Sequence, residues 1–151
     1  MRVNWAAVGV AGVVYWLFQA GWFIMFSQQW QSGLHMSEAE LAAYNAHPNF
    51  VPYLIALLCN FVLAFIIARV LALGGTITIV RGFRIGLLVG VAIAAAMLTA
   101  MYFEVKPWSF IVISAGAPLA GCALMGMILG AWKPARRNSD VAASESRAGG
   151  I

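Results

Sequence analysis

The chain has 151 residues, enough for one domain, and is 63% hydrophobic with only 9% charged side chains, where soluble domains run near ~45–50% and ~25%. A soluble fold of this size could not hide that much apolar surface, so part of its solvent is lipid. The net charge of +4 is small and unevenly placed, and no interleaving of aromatic and basic residues marks a nucleic-acid surface.

Four apolar stretches are each long enough to cross a bilayer core, which takes about 20 residues. The first runs from about Asn4 to Phe26. Only Arg2 flanks it as a basic residue, no small-x-small cleavage site precedes Trp22, and Trp5, Tyr15, Trp16 and Trp22 make it aromatic for a cleavable signal. It is expected to remain as a span. It ends at "SQQW", where Gln28 and Gln29 meet water and Trp30 suits the headgroup belt.

The following loop, 27–50, contains "SEAE" at 37–40. This is a capping box: Ser37 can accept from the Glu40 amide while the Glu40 side chain reaches back. The spacing predicts a short amphipathic helix from Glu38 to about Ala46, stopped before Pro48, with Met36, Leu41 and Tyr44 on one face. His35 and His47 share the loop with Glu38 and Glu40. Two histidines and two acids could ligate zinc, but the spacing fits no metal motif and ordinary loop polarity accounts for them.

The second span is expected over about 51–73, the third over 83–103 and the fourth over 108–132. All four read as helices, because a lone lipid-exposed strand would leave its backbone groups unpaired. The fold expected is an all-α, four-span membrane bundle over 1–132, followed by a disordered tail at 133–151 that is rich in Ser, Ala and Gly.

Orientation follows from the basic residues. Arg2, Arg69, Arg81, Arg84, Lys133, Arg136, Arg137 and Arg147 fall on one side, and Lys106 alone on the other. The positive-inside rule puts both termini and the loop near Arg81 in the cytoplasm, and 27–50 outside. Trp22 and Trp108 then fit the outer belt, Trp5 and Trp132 the inner one.

Gly82, Gly86 and Gly90 recur every four residues in the third span, and Gly126 and Gly130 in the fourth, with Gly116, Ala120 and Gly121 nearby. Such stripes let helix backbones approach closely. They predict a tight hairpin of the last two spans, or else a dimer interface.

Polar residues within the spans are few: Gln19, Asn60, Thr99 and Ser114. At 1.5 Å per residue all four sit about 6–14 Å below the outer boundary. They read as interhelical hydrogen-bonding groups, or as the floor of a shallow outward pocket. The same counting puts Cys59 about 12 Å and Cys122 about 21 Å deep, too far apart for a disulfide. No span carries a mid-membrane ionisable residue of the kind transporters use, and no catalytic motif, metal motif or cofactor signature stands out.

Asn4-Trp5, the aromatic exit Trp22-Phe23, the step Phe26-x-x-x-Trp30, the acidic run Ser37 to Glu40 and the closing "ILGAW" at 128–132 together resemble a bacterial membrane family, domain of unknown function 1761, over about residues 3–132. The resemblance implies four-helix membrane topology and no activity. The function expected is a non-enzymatic inner-membrane protein acting through helix contacts with itself or another membrane protein. The alternative is a binder or carrier of a small apolar or lipid-like molecule. It would use a pocket floored by Gln19, Asn60, Thr99 and Ser114 and lidded by 37–46.

Overall fold

A computed structural model describes residues 3–46 and 49–132. The chain forms helices α1 (Trp5–Met25), α2 (Ser27–Ser32), α3 (Glu38–Ala46), α4 (Val51–Leu73), α5 (Ile79–Phe103) and α6 (Trp108–Ala131). Helices α1, α4, α5 and α6 are each long and apolar enough to cross a bilayer, and no strand occurs among the described residues. The chain is thus an all-α, multi-pass membrane protein. Arg2, His47, Lys133, Arg136, Arg137, Arg147 and the expected tail at 133–151 lie outside the described residues.

Local chemistry sets the boundaries. Asn4 caps α1, its side-chain oxygen accepting from the amides of Ala6 at 3.1 Å and Ala7 at 3.3 Å. Pro52 falls in the first turn of α4, where its missing N–H costs nothing. Helix α5 starts four residues before the apolar run suggests. Thr78 accepts from the Arg81 amide at 3.2 Å and so opens the helix ahead of two arginines. The turn before it is held by Arg81, whose guanidinium donates to the carbonyls of Gly74 and Thr76 at the C-terminus of α4. Gly75, at φ +88°, takes the left-handed conformation that the turn requires.

At the other end of α5 the chain reverses through a Schellman turn. The Lys106 amide donates to Met101 and the Val105 amide to Tyr102, both at 3.1 Å. Val105 occupies the left-handed position at φ 55°, a strained place for a β-branched residue.

Helices α5 and α6 meet backbone to backbone. Gly82 lies against the backbone of Gly126, Gly86 against Cys122 and Ala123, Gly90 against Leu119, and Gly130 against Thr78 and Ile79. The glycine stripe is therefore occupied inside the chain. Gly116 and Gly121 face elsewhere, receiving Trp22 and Tyr15 of α1. With one flank on α5 and another on α1, α6 is the central post of the bundle. Its Cys122, Met125 and Leu129 join Ala7, Val8, Ala11 and Tyr15 of α1 and Ala64, Ile67 and Leu71 of α4 in the core. Near the Arg81 end, Trp5 stacks on Phe65 at 5.3 Å, closing α1 onto α4.

A side chain at Gly86 would have to displace the carbonyl of Cys122, which is backbone and cannot swing aside. Gly86→Leu is expected to cost at least the ~1–3 kcal/mol of ordinary overpacking, read as a lower melting temperature in mild detergent. Gly9→Ala meets nothing within 4 Å and is expected to melt at or slightly above the parent, since Ala is favoured over Gly within a helix by about 0.5–1 kcal/mol. Equal melting of the parent and Gly86→Leu would contradict the hairpin contact.

Candidate functional site

The residues at 16, 19, 20, 23, 24 and 27 recur at the helical spacing that puts them on one face of α1 and its exit. Together with Trp30 and Gln31 of α2, Tyr44 of α3, and Pro52, Tyr53 and Ala56 of α4, that face lines an open-sided cavity of about 440 Å³. The cavity lies at the end of the bundle where α2 and α3 sit. Counting along α1, it reaches from the boundary near Phe26 down to Trp16, about 15 Å.

Its walls are fixed from behind. The Trp16 indole donates to the Tyr53 carbonyl at 3.0 Å, tying α1 to the first turn of α4. The Trp22 indole donates to the Ile113 carbonyl at 3.0 Å and draws α1 onto α6. Helix α2 leans on α6 as well: Trp30 stacks on Phe110 at 5.8 Å, and Phe110 fills the space that a side chain at Gly33 would need. Phe23 meets Trp30 edge-on at 5.6 Å. Lys106 places its ammonium 5.5 Å from the Phe110 ring, at the same end.

The four polar residues expected within the spans do not converge. Gln19 and Asn60 do meet: Asn60 Nδ2 donates to Gln19 Oε1 at 2.8 Å. Asn60 is buried behind the cavity while Gln19 lines it. The Gln19 amide is thereby oriented, and its Nε2 makes no hydrogen bond among the described residues. Thr99 is exposed on α5 and turns back to the Ala95 carbonyl of its own helix at 3.0 Å. Ser114 is buried on α6, and its hydroxyl has no hydrogen-bond partner among the described residues. One turn on, Pro118 lacks the N–H that would bond the Ser114 carbonyl.

The aromatic walls are what the sequence reading passed over. By sequence pattern Trp30 suits the headgroup belt and Tyr44 the face of a loop helix. The available signal was the single helical face running from Trp16 through Gln19 and Phe23 to Ser27, with polar groups set among aromatics. Among the described residues, no carboxylate, imidazole, thiol or ammonium lines the cavity. Its chemistry is hydrogen bonding and apolar contact. At the opposite end of the bundle, a cavity of about 30 Å³ beside Asn4, Leu71 and Trp132 has room for little more than water.

Helix α3 carries the expected capping box. The Ser37 amide donates to Glu40 Oε2 at 2.8 Å, the Ser37 hydroxyl donates to the same oxygen at 2.7 Å, and the Glu40 amide donates to the Ser37 hydroxyl at 3.3 Å. No side chain described in α3 is buried: Leu41 is half-buried, and Tyr44 is exposed where it borders the cavity. His35 stands exposed before α3 at φ 55°. No group of three or more His, Cys, Asp or Glu side chains converges among the described residues. Cys59 is exposed, Cys122 is buried, and both are free thiols.

The hydrogen bonds from Ser37 hold the Glu40 carboxyl below its ordinary value. That contribution to α3 is present at neutral pH and is lost as pH falls through the lowered value. Acidification is expected to lower the protection factor of the Ser37 amide, once the intrinsic pH dependence of exchange is divided out, and to reduce helicity over 38–46; Ser37→Ala, which keeps the backbone donor, should weaken this pH dependence. For the amide pair, a thermal double-mutant cycle of Gln19→Leu and Asn60→Leu is expected to give a coupling of about 0.6 kcal/mol and no more than ~1.7. Zero coupling would mean that the pair does not form.

The family model described as Protein of unknown function (DUF1761) matches residues 6–130. No curated protein and no solved structure matches the chain.

Proposed function

The chain belongs to the DUF1761 family of proteins of unknown function, and from that premise we propose that it is a binding protein. It takes up a small, largely apolar, lipid-like molecule in the cavity between α1 and α4. The family description supplies no activity, so the reading rests on one observation. A cavity of about 440 Å³, walled by Trp16, Phe23, Trp30, Tyr44 and Tyr53, contains a single oriented amide, Gln19. This volume falls in the range of about 300–1,000 Å³ typical of small-molecule sites, which combine apolar walls with a few placed polar groups. Among the described residues the lining holds no carboxylate, imidazole, thiol or ammonium, which favours binding over chemistry. With the glycine stripe occupied between α5 and α6, contact with a second copy or another membrane protein becomes the weaker reading.

The same proposal includes a place in the cell. Arg69, Arg81 and Arg84 gather at one end of the bundle and Lys106 is at the other. By the positive-inside rule this supports a bacterial inner-membrane protein with cytoplasmic termini and the cavity facing outward. The ligand then enters from the outer leaflet. Helix α3, which borders the cavity through Tyr44, acts as its cover.

Native mass spectrometry of the protein extracted in mild detergent tests this. The expected result is a species heavier than the bare chain by one small-molecule mass. Filling the cavity with the pair Ala20→Phe and Ala56→Phe should remove that mass. Tyr44→Ala should lower retention about five-fold, the scale of one lost contact of ~1 kcal/mol. A bare chain throughout, or a bound mass indifferent to the filling pair, would overturn the reading.

A further inference from the structure

We propose that the occupant is a neutral, flat conjugated ring that carries a carbonyl acceptor and an apolar tail, the chemistry of the quinone class. This rests on the preceding reading of the cavity as a ligand site. Two features of the lining select the class. The first is the Gln19 amide. Its oxygen is held by Asn60 at 2.8 Å, which leaves its NH₂ group as a donor about 10 Å below the α3-end boundary of α1. A phospholipid keeps its ester carbonyls and phosphate near the headgroup level, so its acyl chain would leave that donor unpaired in an apolar site. A ring carbonyl at this depth pairs with it. Trp16 does not compete for the acceptor, because its indole N–H is already bonded to the Tyr53 carbonyl.

The second feature is the wall. Trp16, Phe23, Trp30, Tyr44 and Tyr53 supply aromatic side chains to the walls of one open-sided space. Aromatic side chains favour offset-stacked and edge-to-face contacts with another ring. Trp30 is already backed by Phe110 and so offers a supported face. Among the described residues the lining carries no charged group, which favours a neutral guest. At the rim, Ile24 of α1 is 74% exposed and Tyr53 of α4 is 57% exposed. The open side of the cavity, bordered by these residues, gives the apolar tail an exit into the acyl chains.

The test titrates the purified full-length chain in mild detergent with a decyl-tailed benzoquinone and follows tryptophan fluorescence. A phospholipid with a spin-labelled acyl chain is titrated in parallel, since both probes quench tryptophan. Saturable quenching by the quinone, weakened about five- to ten-fold in Kd by Gln19→Leu and abolished by Ala20→Phe with Ala56→Phe, is the expected result. The filling pair leaves Gln19 in place, so the test does not depend on one variant folding. Saturable quenching by the labelled lipid that the quinone does not displace would overturn the ring class and leave the lipid-like reading standing. No saturable quenching by either probe would overturn both. Quinone binding indifferent to Gln19→Leu would remove the amide from recognition and with it this proposal.

Discussion

Everything in this bundle is arranged around the backbone contact between α5 and α6. In lipid there is no hydrophobic gain from bringing two apolar helices together, so association depends on how closely their atoms can pack. Glycines at 82, 86 and 90 on one helix and at 126 and 130 on the other let the two backbones touch between residues 78–90 and 118–130. Close van der Waals contact along that stretch holds the pair. The Schellman turn at Met101–Lys106 can then be tight enough to strain Val105, because the seam defines where each helix must lie.

Once α6 is fixed by α5, its other flank decides the rest. Gly121 admits the Tyr15 ring and Gly116 admits Trp22, which lets α1 come close. The Trp22 indole bond to Ile113 pulls the end of α1 toward α6. Near the Arg81 end, α1 is instead stacked on α4 through Trp5 and Phe65. Helix α1 is thus committed to α4 at one end and to α6 at the other. The space between α1 and α4 at the second end is spanned by side chains alone: the Gln19–Asn60 amide pair, the Trp16–Tyr53 bond and the aromatic walls. The cavity is the geometric result of α1 changing partners along its length.

The four spans, the capping box at Ser37 to Glu40 and the small-residue hairpin were all legible in the sequence. Each is a local pattern with a single physical reading: a run length, a spacing of three, a spacing of four. Helix α2 was not legible, because Ser27 to Ser32 is too short and polar to show a periodic face, and it is held by Trp30 and Gly33 docking on Phe110. The early start of α5 was also hidden. Arginines at 81 and 84 break the apolar run but not the helix, since Thr78 supplies the cap. The cavity needed three elements to be placed relative to one another, and no local pattern carries that information.

The polar residues make the distinction sharper. Depth along a helix follows from counting at 1.5 Å per residue, and by depth alone Gln19, Asn60, Thr99 and Ser114 form a level set. Direction around the helix follows from the same geometry at about 100° per residue. Gly90 faces α6, and Thr99 is nine residues further on, roughly two and a half turns, so it points to the opposite side. There it is exposed and bonds only to its own helix. Ser114 shares a face with Pro118, Gly121 and Met125, the flank of α6 that meets the core, and it is buried there with no partner among the described residues. Gln19 lies one turn from Tyr15, rotated just enough to border the cavity rather than the core, and Asn60 is buried opposite it. A shared level is therefore a necessary condition for polar groups to meet inside a membrane. The angular coordinate decides which of them do, and here it leaves Gln19 as the one amide both oriented by a neighbour and open to a guest.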